Sequence, residues 1–321
     1  QYTGPQKLAI DTDEMAVAGG LAGAPLRVTK ALTVDLEIPA DAEIVVEGLI
    51  ATDVVEPEGP FGESHGYIAL EEFNMSMQVT AITTRRNPIF PSIVSQVTPS
   101  ESSVIKKVAY EPLFLHHLQK AMGIKGLTGL VMHEPLSNLR PIIFLQFEAG
   151  TPQSEIWRGL QGASTVQAQC GKIVIAVTDD VDPHNADAVF WSMAYRSNPM
   201  KDVLIVPYRS RAHGPKHDDD SNSTMLIDAT SKSVMPPLAL PAKEFMEDAK
   251  TLWEKIGLPS LSPQAPWHGV HLGDWGDTWE RFAQAAVKGE WERTGQITHQ
   301  RRKSSDDVHP ETPVRRVEKD I

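Results

Sequence analysis

Residues 172–177 read KIVIAV, five apolar positions in a row after a lysine. A half-exposed strand alternates apolar and polar residues, whereas an uninterrupted apolar run belongs to a strand buried on both faces. The surrounding sequence supplies what could cover it. Residues 154–169 and 187–196 have helical spacing, PIIFLQF at 141–147 reads as a strong strand, and DVLIVP at 202–207 reads as a second buried strand. Strand, helix and strand in succession predict a βαβ-like unit, so residues 108–235 are expected to be α/β.

The upstream part has another rhythm. Residues 13–24 are small and apolar and predict a short helix ending in a glycine-rich turn. From residue 25 to 98 short alternating runs are punctuated by Pro and Gly, the mark of antiparallel strands and of a possible barrel. Residues 102–122 return to helical spacing at Val104, Val108, Leu113 and Leu118, with Pro112 expected to break the helix. Helices are also predicted over 242–256, 278–287 and 290–302, followed by a charged, frayed tail. The expected fold class is therefore α+β and α/β. It comprises a β-rich part over 1–107, an α/β part over 108–240 and a helical extension over 241–321.

Composition narrows the function classes. Thirty basic against forty-two acidic residues give a formal charge of −12, which argues against a nucleic-acid binder and fits a soluble enzyme. A single cysteine, Cys170, excludes an internal disulfide and a cysteine-cluster metal site, and it reads as core. No run of about eighteen apolar residues predicts a membrane span. A cytoplasmic location is expected. The chain opens with Gln1 rather than Met and without a signal-peptide pattern, so upstream residues are expected to be missing.

The chemistry-bearing stretch is EPEGPFGESHGY at 56–67. Glu58 and Glu63 flank a Gly-Pro-Phe-Gly turn, stiffened by Pro57 and Pro60 and followed at once by Ser64 and His65. Exposed turns often carry solvated glutamates. Two carboxylates fixed near each other out of water can also push their proton affinities apart, which suits proton delivery. Other candidates are weaker. His116 and His117 are sequence neighbours and do not share a helix face. The stretch from His213 to Asp220 could grip a cation but reads as a solvated loop. Asp179, Asp180 and Asp182 follow the buried strand and are expected to cap the next helix. No H-E-x-x-H, G-x-S-x-G, P-loop or dinucleotide-binding glycine motif is present.

The acid loop resembles the signature loop of the UbiD family of prenylated-FMN-dependent decarboxylases. LAGAPLRVTK (21–30), DLEIPADAEIVVEGLI (35–50), VTAITTR (79–85), KIVIAVTDDVDP (172–183), WSMAYRSNP (191–199) and STMLIDATSK (223–232) resemble further family segments in order. The resemblance implies a split β-barrel for flavin binding, then an α/β domain that assembles homo-oligomers. It implies prenylated FMN, supplied by a flavin prenyltransferase, with manganese and potassium at the cofactor phosphate. It also implies non-oxidative, reversible decarboxylation of an aromatic or α,β-unsaturated carboxylic acid through a covalent adduct with the cofactor. Glu63 would donate the proton, Glu58 would support it, and Glu14 would bind metal and cofactor. Ser64 and His65 would line the substrate pocket. The family's catalytic arginine and the Asn and His that share its metal are expected before Gln1. Where some members carry a lysine, this chain has Thr224. The competing expectation is a non-catalytic or partner-dependent subunit that keeps the fold.

Overall fold

The computed structural model describes residues 11–69, 72–138, 140–207, 222–233, 239–241, 243–260 and 277–308. The chain divides into two compact units, Gln1–Lys232 and Ser233–Ile321.

In the first unit, α1 (Glu14–Ala22) begins at Asp13, whose carboxylate accepts a hydrogen bond from Met15 N at 2.8 Å. It ends at Gly23, which takes the left-handed conformation with φ 71°. The β-rich part then forms two-stranded antiparallel ribbons: β1 (Val28–Lys30) with β2 (Glu37–Pro39), and β3 (Ile44–Ile50) with β8 (Met77–Thr84). β4 (Glu56–Glu58) pairs with β7 (Glu72–Asn74), and β5 (Phe61–Gly62) with β6 (Ile68–Ala69). No closed barrel forms among the described residues. Glu47, on β3, is buried and clamps the turn after β1: its carboxylate accepts from Leu32 N, Thr33 N and Thr33 Oγ1 at 2.7–2.9 Å.

Downstream lies a five-stranded sheet in the order β12-β13-β11-β10-β9. Its strands are β9 (Leu127–Met132), β10 (Ile142–Phe147), β11 (Ile173–Thr178), β12 (Val203–Val206) and β13 (Thr224–Asp228). β11 runs parallel to β10 and to β13, while β9 and β12 close the edges antiparallel. Val174, Ile175, Ala176 and Val177 are all buried, as the apolar run predicts. Period-two alternation sorts them by face. Ile143, Leu145, Phe147, Val174, Ala176 and Leu226 share a core with Phe114, Leu118 and Leu160. These last three come from α2 (Glu101–His116), the π-helical turn after it and α3 (Gln153–Ala163). Each large apolar side chain fully buried here contributes about 1.5–3 kcal/mol. The hydroxyl of Ser192, on α4 (Ala186–Arg196), donates to Ala229 O at 2.7 Å, which ties α4 to the end of β13.

Three expectations change. The parallel βαβ unit is β10–α3–β11; the run at 202–207 forms a half-exposed antiparallel edge strand instead of a buried parallel one. α2 continues through Pro112, and its irregularity comes later, in the π-helical turn His117–Ala121. The aspartates after β11 do not cap α4. Asn185 does, accepting from Asp187 N and Ala188 N, while Asp180 pairs with Arg196 and Asp182 accepts from His184 N. Cys170 is buried, as expected.

In the second unit, α6 (Lys243–Lys255), α7 (Asp277–Val287) and α8 (Trp291–Gln300) follow the short α5 (Pro199–Asp202) of the first in chain order. The helices expected at 242–256, 278–287 and 290–302 are present. His213 to Asp220 lie outside the described residues. Among the described residues no helix is long and apolar enough to cross a membrane.

Candidate active site

The acid loop closes on itself by backbone geometry. Glu63 N donates to Tyr67 O at 3.0 Å and Gly66 N to Glu63 O at 2.9 Å, so residues 63–67 form a tight turn between β5 and β6. Segment 95–98 lies directly against this turn. A Cβ on Gly62 would stand 2.3 Å from Ser95 O, and one on Gly66, whose φ is +87°, would stand 3.0 Å from the Val97 Cα. These two glycines are thus required by close approach and by positive φ.

The same segment leads into α2. Ser100 caps the helix in a capping box with Ser103: Ser103 N donates to Ser100 Oγ, and Ser100 N donates to Ser103 Oγ at 2.9 Å. The cap fixes the first turns of α2 beside the acid loop. Lys106 then reaches back, its ammonium donating to the hydroxyl of buried Ser64 at 2.5 Å. A third segment, 133–140, joins through the Ser103 hydroxyl, which donates to the Glu134 carboxylate, and through Leu136 N, which donates to Thr98 O. This brings in Arg140, 7% exposed, whose guanidinium lies 5.9 Å from the centre of the Tyr110 ring and donates to Gln169 Oε1 at 3.0 Å.

His65 and Lys106 each feel the charges of Glu63 and Arg140. Burial pushes the His65 imidazole below its ordinary range; Glu63 opposes this, and Lys106 and Arg140 reinforce it. His65 Nδ1 accepts from Tyr67 N at 3.1 Å, so the neutral ring carries its proton on Nε2. Burial likewise lowers the Lys106 ammonium, with Arg140 adding to the effect and Glu63 opposing it. Close by, Thr98 Oγ1, both amide atoms of Asn138 and Arg140 Nε are buried without a protein hydrogen-bond partner. Buried polar atoms are normally paired, so these four atoms on two joined segments are open to a further partner.

The sequence candidates are placed unequally. Glu63, Ser64 and His65 share the turn. Glu58 is exposed on β4 and accepts a hydrogen bond from Asn74 Nδ2 across the ribbon. Glu14 is exposed in the first turn of α1. Among the described residues no group of three or more His, Cys, Asp or Glu could hold a metal. Sequence reasoning missed Lys106 and Arg140. Lys106 sits in a Lys-Lys pair that reads as a solvated helix face, and Arg140 precedes a strand, with no local motif to single it out.

Residues 3–97 match the 3-octaprenyl-4-hydroxybenzoate carboxy-lyase Rift-related domain, and residues 103–229 match the C-terminal domain of the same carboxy-lyase. The chain belongs to the UbiD family. An uncharacterized protein of Archaeoglobus fulgidus is 32% identical over 206 residues, which cover 64% of this chain and 42% of that protein. The evolved dimeric form of the UbiD-class enzyme HmfF from Pelotomaculum thermopropionicum, in complex with prFMN, is similar with a TM-score of 0.61 and 26% identity. That match covers 74% of this chain and 51% of that one. The closed form of vanillic acid decarboxylase from Sedimentibacter hydroxybenzoicus gives a TM-score of 0.60 and 25% identity, over 75% of this chain and 52% of that one. The chain spans about half the length of these relatives, from 42% to 52%.

Proposed function

We propose that the chain carries the proton-donating part of a prenylated-FMN-dependent decarboxylase site. The reading is carried by one observation: Glu63 stands in a turn locked against segment 95–98, beside a neutral imidazole and two cations. The residues are also those that the two family domains cover.

The chemistry asks little else of this chain. Loss of CO2 breaks a carbon–carbon bond and leaves the electron pair on the substrate carbon. The flavin, when bound, supplies the electron sink that no side chain offers. Glu63 then gives its proton to that carbon, so an acid becomes its decarboxylated product and CO2 with no net oxidation, and the reaction can run backwards. The substrate class is an aromatic or α,β-unsaturated carboxylic acid. Ser64 and His65 shape the pocket wall next to the donor, and Glu58 supports the loop from its ribbon.

A flavin is compatible with the described residues, since the unpaired buried atoms of Thr98, Asn138 and Arg140 are polar groups awaiting partners. A metal finds less. Glu14 offers one carboxylate and the described chain offers no cluster to complete the set, so no step is assigned to manganese or potassium. Supply of the flavin by a prenyltransferase, homo-oligomeric assembly, a cytoplasmic location and a split-barrel role for the ribbons belong to the same proposal. So does the division at 107 and 240.

That no cluster forms around Glu14 among the described residues favours a second reading, a partner-dependent or non-catalytic subunit. Co-expression with a flavin prenyltransferase separates the two. The decarboxylase reading expects the flavin absorbance to co-purify with the chain and CO2 to be released from a panel of aromatic and acrylic acids. A folded chain that keeps no flavin and releases no CO2 supports the second.

A further inference from the structure

Lys106 and Lys107 are neighbours on α2 with different surroundings. Lys107 makes an ordinary helix pair with Glu111 at 3.7 Å. Lys106 turns to the acid loop. It is half-buried, and its ammonium donates to the neutral hydroxyl of Ser64 at 2.5 Å. Among the described residues no carboxylate stands in ion-pair contact with it. Charge balance does not single Lys106 out, because Lys106 and Arg140 are offset by Glu63 and by the buried Glu134 carboxylate. Its setting does. A lysine that loses water and stands near another cation gives up its proton more readily and becomes a nucleophile. Burial and Arg140 both act on Lys106 in that direction, against the attraction of Glu63. The proposed decarboxylation releases CO2, a small electrophile open to amines, beside the same turn.

We propose that Lys106 is a carbamylation site, an amine that CO2 modifies reversibly. This rests on the decarboxylase reading only for the source of the CO2. The ammonium first releases one proton. The amine nitrogen then bonds to the carbon of CO2, one C=O electron pair moves onto oxygen, and the nitrogen releases a second proton. Water and the Glu63 carboxylate take up the protons, and nothing is oxidised or reduced. The product is a lysine carbamate. A positive charge beside Ser64 thereby becomes a negative one, and the nearby Arg140, whose Nε is buried without a protein partner, is its counter-charge. Because Ser64 follows Glu63 directly, the new anion stands beside the proposed donor, and Lys106 senses the reaction's own product.

The test uses the flavin-free chain, equilibrated with isotopically labelled bicarbonate and CO2, trapped with triethyloxonium and mapped by peptide mass spectrometry. Lys106 is expected to carry at least about tenfold more label than Lys107, its neighbour on the same helix. The label should rise with CO2 and vanish when the sample is degassed before trapping. Arg140→Gln removes the neighbouring cation and should lower the Lys106 label at least about threefold without changing that of Lys107. Arg140 is a buried position, so the ratio of Lys106 to Lys107 in the unaltered chain carries the test if that variant misfolds. Equal label on the two lysines overturns the proposal, because Lys106 is then an ordinary surface amine. So does an unlabelled Lys106 at every CO2 pressure, which leaves it a positioning partner of Ser64. Unchanged Lys106 label in a folded Arg140→Gln chain overturns the role given to Arg140. These outcomes are separable from the parent reading. A labelled Lys106 in a chain that releases no CO2 when loaded with flavin sinks the decarboxylase and leaves the carbamate, whereas CO2 release with an unlabelled Lys106 does the reverse.

Discussion

The two halves of the first unit solve the burial problem differently. The sheet around β11 hides its apolar residues: Ile143, Leu145, Val174 and Ala176 are fully buried between helices and neighbouring strands. The ribbons carry comparable residues in the open, with Leu49 64%, Phe73 71% and Ile82 63% exposed. The ribbons nevertheless carry Glu63, the proposed proton donor. Their acid loop is ordered by segment 95–98 and the start of α2, not by a core of its own. A well-packed α/β sheet thus anchors α2, and the proposed proton donor stands on a short turn held against segment 95–98 and the start of that helix.

That contrast can be broken by experiment, and the largest effect is expected inside the sheet. Phe147→Ala should cost about 3–5 kcal/mol, read as a shift in the denaturant midpoint. Ile82→Ala, on the exposed ribbon, should fall within about 0.5 kcal/mol. If the two changes cost the same, the ribbons have a hidden core and the comparison fails. Between these extremes lies Gly66→Ala. Its positive φ and the nearby Val97 backbone predict a loss of about 1 kcal/mol or more, together with displacement of the acid loop.

Acid should also separate individual groups. Both His65 and His133 have folded-state proton affinities pushed below the ordinary value of 6.5, first by burial. The unfolded chain then binds more protons, so stability falls as pH drops from about 6.5 toward the folded-state values and is recovered on raising it. Glu47 behaves differently. Hydrogen bonds from Leu32 N and from Thr33 hold its carboxyl below the ordinary 4.5. Its contribution is present above 4.5 and is lost as pH falls through the lower folded-state value. His65→Gln should flatten the upper part of a stability-against-pH curve, and Glu47→Gln the lower part. A curve unchanged by either substitution would remove these groups from the account. Asn185→Ala should cost about 1 kcal/mol of helix-cap stability in α4, more than Ile82→Ala and far less than Phe147→Ala.

What could be read in advance follows the same physical divide. The buried run 173–177 was legible because two covered faces leave no polar position. α1 was legible because Gly23 marks its end. β12 was legible as a strand but not as an edge strand, since VLIV reads alike at an edge and at a centre, and pairing is decided by distant residues. β9 was missed because Gly126 and Gly129 dilute its apolar pattern. Pro112 misled because the tertiary packing of α2 outweighs one missing hydrogen bond. In the site, Glu63, Ser64 and His65 were legible as one local motif. Lys106 and Arg140 were not, because their meaning arises only when α2 and the 133–140 turn fold onto that motif.

The central claim is that Glu63 delivers the proton. The most direct test is turnover of the flavin-loaded chain with Glu63→Gln, with bound flavin measured in the same sample. The account predicts unchanged flavin content and decarboxylation slowed by about a hundred- to ten-thousand-fold. Near-normal turnover in that variant would contradict it.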